Sequence, residues 1–176
     1  MDNVENISKN KLHTRSSLIK EYSLFALASS ILAGLLGYDS NWISFIGIGA
    51  TVPDKFDGLM VTTVFLVAWF LYGIVNGYSK KKGFIQFLSF YWGIGGGICL
   101  IATLMAPIGK FALLVIPLEM LILLPNLGLS PYFPFANHSL SLYIFLSVLF
   151  AWLIGVVGYL LGFQLKNSII KKDIQT

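Results

Sequence analysis

The sequence predicts an all-α integral membrane protein with a bundle of four transmembrane helices. Hydrophobic residues make up 56% of the 176-residue chain, whereas charged residues make up only 11%. An ordinary soluble domain carries about 25% charged residues. In addition, four long runs contain no charged residue, and about 20 apolar residues in a helix are enough to cross a bilayer core.

These four runs form one central membrane region, with a polar segment on each side of it. Because the hydrocarbon core holds no water to satisfy backbone N–H and C=O groups, each run is predicted to be a helix. A polar, basic N-terminus covers 1–21, and a basic tail covers 166–176. Between them, one transmembrane bundle covers 22–165, with spans at about 22–38, 59–79, 83–109 and 139–165.

The segment between the third and fourth spans is apolar but rich in proline. Five of the six prolines lie between Pro107 and Pro134. Proline removes a backbone donor and clashes with the preceding turn, so this segment is predicted to be a series of short, broken pieces. We expect it to be re-entrant or interfacial. The alternative, in which 111–129 crosses as a fifth helix, would move the C-terminal lysines to the other side of the membrane.

The basic residues predict the orientation. Ten of the twelve lie before the first span, between the second and third spans, or after the last span. These three places share one side of the membrane only if the chain crosses four times. Because basic loops tend to remain inside the cell, both termini are predicted to be cytoplasmic, with the bundle in the cell membrane. The net charge of +4 is explained in this way, and no nucleic-acid partner is predicted.

Small residues four positions apart predict where the helices pack. In lipid, helices associate through close backbone contact, which glycine permits. The candidate pairs lie on the last three spans and consist of Gly73 and Gly77, Gly93 and Gly97, and Gly158 and Gly162. We expect them to pack the bundle internally. The alternative is that one such face, most plausibly Gly158 and Gly162, docks another subunit.

Four ionisable residues outside the spans are the candidate ligand-binding or functional residues: Glu119, Asp54, Asp57 and His138. Glu119 is the one acid in a strongly apolar stretch, where an ionisable residue is costly, although an interfacial acid or an ion pair also explains it. Asp54 and Asp57 precede a helix, where Asp is an ordinary N-cap. His138 lies in no recognised catalytic motif.

The side chains within the spans disfavour most chemistry. The four spans hold no acid, lysine, arginine or histidine, which disfavours a proton-coupled pump and a hydrolase with its site in the bundle. Asn76 and Gln86 lie near the predicted inner ends, where we expect water to satisfy them. One cysteine and two histidines are too few for a structural zinc site. The sequence therefore predicts no catalytic residue, metal or cofactor.

These observations predict a non-enzymatic polytopic membrane protein. We expect an accessory, assembly or protective subunit that acts through helix packing in the membrane. Its predicted partners are membrane lipids and either another membrane protein or a second copy. The first alternative is a small permease or channel component that transports a neutral or lipid-like solute. A membrane enzyme acting on lipid-linked substrates is the less favoured alternative.

Overall fold

The computed structural model describes residues 17–33, 55–81, 83–105, 126, 128, 129, 132 and 140–175. These residues form four helices: α1 over 17–33, α2 over Lys55–Tyr78, α3 over Gly83–Met105 and α4 over Leu140–Gln175. Short 3-10 turns lie at 126, 128–129 and 132. The all-helical prediction is confirmed for this part of the chain. Most of the proline-rich segment lies outside the described residues.

Three of the helices are long and apolar enough to cross a membrane. The candidate spans are Gly58–Tyr78 in α2, Gly83–Ile101 in α3 and Leu142–Lys171 in α4. Their length and composition are compatible with an integral membrane protein. The described part of α1 contains 17 residues, which corresponds to about 25 Å of helix. The rest of the predicted first span, 34–38, lies outside the described residues.

The fourth helix continues past the predicted end of its span at Leu165. α4 has 36 residues, so it is about 54 Å long, whereas a bilayer core is about 30 Å thick. Within this extension, the Ser168 hydroxyl donates a 3.1 Å hydrogen bond to the Gln164 carbonyl. The predicted basic tail is therefore helical as far as Gln175, and α4 is long enough to extend beyond a bilayer core.

α2 and α4 run parallel and touch through their glycines. A Cβ atom on Gly73 would lie 2.6 Å from the Gly155 carbonyl oxygen, and one on Gly162 would lie 2.8 Å from the Tyr78 amide nitrogen. A Cβ on Gly77 would likewise meet the α4 backbone, and one on Gly158 would meet the α2 backbone. Because no side-chain atom fits at these positions, the two backbones come into direct contact there.

α3 runs antiparallel to α4 and packs against it at two further glycines. A Cβ on Gly155 would lie 2.9 Å from Cδ2 of Leu88, and one on Gly96 would lie 2.7 Å from Cγ1 of Val148. In both cases a branched aliphatic side chain on one helix fills the space that glycine leaves on the other. This contact places α3 beside α4 along the middle of both helices.

Aromatic side chains fill the interior between α1, α2 and α3. Trp69 is fully buried and stacks on Tyr91, with ring centroids 5.4 Å apart. Phe25 from α1 makes an edge contact with Trp69 at 5.2 Å, and Tyr22 makes another with Phe84 at 5.7 Å. Since such aromatic pairs add to the gain from burial, these rings hold α1 against both neighbouring helices.

The turn between α2 and α3 has the hydrogen bonds of a Schellman motif. The Lys81 amide donates to the Asn76 carbonyl at 3.0 Å, and the Lys80 amide donates to the Gly77 carbonyl at 2.9 Å. Lys80 has a positive φ of 55°, at a position that glycine usually occupies. The Lys81 ammonium group also donates to the Glu21 carboxylate at 2.8 Å, which ties α1 to the turn. We call this end of the helices the lysine end.

At the opposite end, a short turn packs against the starts of α2 and α4. The buried Tyr143 hydroxyl on α4 donates a hydrogen bond to the Asn126 carbonyl. A Cβ on Gly128 would meet the carbonyl group of Gly58 and would lie 2.6 Å from Oγ1 of Thr62. Residues 126 and 128 therefore bridge the two helices at this end.

Candidate functional site: an apolar groove between α3 and α4

An apolar groove with a volume of about 520 Å³ lies between α3 and α4 and is open along one side. The α3 side consists of Ser89, Trp92, Gly93, Gly96, Gly97 and Leu100. The α4 side consists of Phe145, Val148, Leu149 and Trp152. No charged side chain is among these residues, so the groove suits an apolar molecule or the face of a helix.

The floor of the groove follows from glycine spacing on α3. Gly93, Gly97 and Leu100 recur at intervals of four and three residues, which places them on one helix face. Apart from the adjacent residues and the nearby backbone of α3 itself, a Cβ on Gly93 or Gly97 would have no described atom within 4 Å. Gly96, by contrast, is in contact with Val148. The helices thus touch at Gly96, and the backbone at Gly93 and Gly97 is accessible beside that contact.

The walls of the groove are bulky and apolar. Phe145 and Leu149 project from α4 with exposed fractions of 57% and 39%. Trp152 donates a hydrogen bond from its indole Nε1 to the Ser89 hydroxyl at 3.1 Å. This bond pairs two polar groups of the groove with each other. A bound apolar surface would therefore meet mainly hydrocarbon, aromatic faces and glycine backbone.

The six glycines that the sequence predicts as packing residues fall into two groups according to what they contact. Four of them, in the α2 and α4 pairs, lie in the contact between those two helices. Gly93 and Gly97 instead line the groove, and neither approaches another helix of the described part. A packing role for these two residues stays a prediction, and it requires a surface from outside the described residues.

The structure does not describe the side chains of the four ionisable candidates. Asp54, Glu119 and His138 lie outside the described residues. Asp57 lies in the first turn of α2, but its side chain is not described. The described part of the chain holds no group of three or more His, Cys, Asp or Glu residues that is arranged to bind a metal ion.

One prediction about the polar side chains is wrong. We expected water to reach Asn76, but this residue is only 1% exposed. Its Nδ2 donates a 2.8 Å hydrogen bond to the Tyr72 carbonyl one turn earlier in α2. The amide nitrogen is therefore bonded to its own helix, whereas the buried Oδ1 has no hydrogen-bond partner among the described residues. Gln86 is exposed, and its access to water stays a prediction.

The α4 side of the groove has no signal in the sequence. Ser89 and Trp152 are 63 positions apart, and their hydrogen bond depends on how α3 and α4 pack. Phe145 and Leu149 resemble any other apolar residues of a membrane helix. The glycine run on α3 was the one detectable feature, because it is unusual within a helix.

Comparison of the chain with protein-family models, with curated proteins and with solved structures finds no match.

Proposed function

We propose that this protein is a non-enzymatic integral membrane protein that acts as an accessory or assembly subunit. In this proposal, a transmembrane helix of a partner protein docks in the groove between α3 and α4. The observation that carries the proposal is the accessible backbone at Gly93 and Gly97. The other two pairs of glycines four residues apart pack against each other within the chain, whereas this pair faces outward.

Glycine is an unfavourable residue within a helix unless another surface uses its exposed backbone. Each glycine destabilises a helix by up to about 1 kcal/mol relative to alanine. Lipid tails gain little from direct access to a glycine backbone, whereas a second helix gains close van der Waals contact along it. Phe145, Leu149 and Trp152 would enclose the sides of such a helix. The groove therefore suits helix docking.

A second candidate function is the binding or movement of a lipid-like molecule in the same groove. The observation in its favour is the volume of about 520 Å³, which is within the range of about 300–1,000 Å³ typical of small-molecule sites. Such sites bury most of the ligand surface. The groove is open along one side, and for this reason we place helix docking first.

The test is to block the groove with leucine. Gly93→Leu and Gly97→Leu place a bulky side chain where a Cβ has no neighbour within 4 Å, so the isolated chain should melt at an unchanged temperature. The protein is isolated from its native membrane in mild detergent, and co-isolating proteins and lipids are quantified by mass spectrometry. We expect both variants to lose most of a stoichiometric partner protein.

Gly83→Leu is the matched control. Gly83 also has no atom within 4 Å of its Cβ position, but it lies at the start of α3 and does not line the groove. This variant should retain the partner. Retention of the partner by both groove variants would contradict helix docking. Loss of a bound lipid-like molecule, with no partner protein present in the wild type, would select the second candidate.

A further inference from the structure

The lysine end carries two cationic side chains that rest on aromatic rings of the opposite helix. The Lys80 ammonium group lies 5.4 Å from the centroid of the Phe163 ring on α4. In the reverse direction, the Lys166 ammonium group lies 5.2 Å from the centroid of the Tyr78 ring on α2. Each ring attracts the cation that lies over it. Each ammonium group is therefore held against one ring at the lysine end of the parallel α2–α4 pair.

A repeated motif creates this arrangement. α2 carries Gly73-Ile-Val-Asn-Gly77-Tyr78, and α4 carries Gly158-Tyr-Leu-Leu-Gly162-Phe163. In each helix the glycines contact the partner helix, and an aromatic residue follows directly. A lysine comes shortly afterwards, at Lys80 and Lys166 respectively. Because the helices are parallel, both aromatic residues and both lysines lie at the same end of the pair.

The positive charge of these two lysines is not neutralised by the described part of the chain. There, the Glu21 carboxylate is ion-paired with Lys81 at 2.8 Å. Lys80 and Lys166 have ring contacts but no carboxylate partner among the described residues. Two neighbouring helices therefore direct positive charge, unpaired by any described carboxylate, to one end of three apolar, membrane-length helices.

The backbone conformation at Lys80 is consistent with a use for its side chain. Its φ of 55° lies in the left-handed region, where L-residues with a Cβ are disfavoured and glycine is preferred. Lysine at this position therefore weakens the turn relative to glycine. The chain nevertheless has lysine there, and this lysine reaches across to α4.

We propose that Lys80 and Lys166 each bind the phosphate headgroup of an anionic phospholipid at the lysine end. Fixed ammonium groups at the end of apolar helices match a ligand with a negatively charged head and a hydrocarbon tail. Phe163 and Tyr78 are partly exposed, at 38% and 44%, so their rings provide apolar surface directly beside the cations. Neither lysine lines the α3–α4 groove, so the lipid sites and the groove are tested separately.

The test measures lipid preference in the purified full-length chain. Phosphatidylglycerol and phosphatidylcholine with identical acyl chains are titrated into the protein in detergent, and bound lipid is counted by native mass spectrometry. We expect the wild type to prefer phosphatidylglycerol. A lysine near a membrane surface contributes enough attraction that Lys80→Gly and Lys166→Gln should each weaken phosphatidylglycerol binding about fivefold.

Two controls separate this site from general charge and from misfolding. Lys171→Gln removes an exposed lysine of the same helix that, unlike Lys166, has no ring contact among the described residues, so it should change the preference by less than about twofold. Lys80→Gly introduces the residue that the turn favours, so its melting temperature should not fall. A fall in melting temperature for this variant would contradict our account of the turn.

Three outcomes would overturn the proposal. The first is an unchanged lipid preference in the double variant Lys80→Gly/Lys166→Gln. The second is an equal loss in Lys171→Gln, which would indicate general surface charge. The third is displacement of the lipid by glycerol 3-phosphate at a similar concentration, because that result would indicate a site for a free phosphate ester.

Discussion

Glycine has two different roles in this chain, and its spatial neighbours distinguish them. At Gly162, a Cβ would meet the backbone of α2, with the Tyr78 amide nitrogen at 2.8 Å. At Gly97, a Cβ would meet no described atom within 4 Å. Both residues belong to pairs of glycines four residues apart in apolar helices. The same local pattern thus serves an internal contact in one helix and an accessible surface in another.

A matched pair of alanine substitutions tests this difference. Gly162→Ala should lower the free energy of unfolding by about 1–3 kcal/mol, because overpacking forces the two backbones apart. Gly97→Ala should leave stability unchanged or raise it by up to about 1 kcal/mol, since alanine favours the helix and its Cβ is unobstructed. Thermal melting of both variants in the same detergent checks the prediction. Equal melting temperatures would contradict the assignment of these glycines.

Among the helices, α4 makes the most varied contacts. Its glycines contact α2, its aliphatic side chains contact α3, and Tyr143 near its start bonds to Asn126. This last bond joins α4 to a turn 17 residues earlier in the chain. Because the Tyr143 side chain is buried, its hydroxyl depends on partners within the protein.

Removal of this hydroxyl should loosen the turn. Tyr143→Phe leaves the ring in place but takes the donor away from the Asn126 carbonyl. We expect the free energy of unfolding to fall by about 1 kcal/mol, the usual contribution of a buried hydrogen bond. Hydrogen exchange should become faster at 126, 128 and 129. Tyr78→Phe, at a residue that is 44% exposed, is the control and should change neither measurement. Unchanged exchange in Tyr143→Phe would show that other contacts hold the turn.

For the molecule as a whole, the parallel pairing of α2 and α4 determines which segments lie at the same end. The start of α1, the α2–α3 turn and the last turns of α4 all lie at the lysine end. The Glu21–Lys81 and Lys166–Tyr78 contacts connect these three segments. Because the start of α1 and the last turns of α4 lie at the same end, this arrangement agrees with an even number of membrane crossings from the start of α1 to the end of α4. We therefore propose that both ends of the described chain are cytoplasmic.

Cysteine labelling tests this topology in a Cys99→Ser background. Ser79→Cys and Ser168→Cys, both exposed at the lysine end, should react with a membrane-impermeant maleimide only after permeabilisation. Tyr132→Cys, at an exposed position that we place near the opposite end, should react in intact cells. Labelling of Ser79→Cys and Ser168→Cys from opposite sides would contradict the shared end. Labelling of both from outside would reverse the orientation alone.

Much of the helical architecture was predictable because hydrophobicity and charge are local properties. A run without charged residues indicates a membrane helix wherever it packs, and the observed α2 and α3 begin within four residues of the predicted spans at 59 and 83. The extension of α4 was missed because the lysines after Leu165 mark the end of an apolar span. They do not mark the end of a helix.

The sequence by itself determined the helices and the glycine positions at which close contact is possible. It did not determine which of those positions would be used, because each contact requires a surface from a distant part of the chain. Only the tertiary structure paired Gly73 and Gly77 with Gly158 and Gly162 and left Gly93 and Gly97 facing a groove. It also brought Lys80 onto Phe163. The reason is geometric: spacing along one helix sets a face, whereas the rotation and direction of its neighbours decide what that face meets.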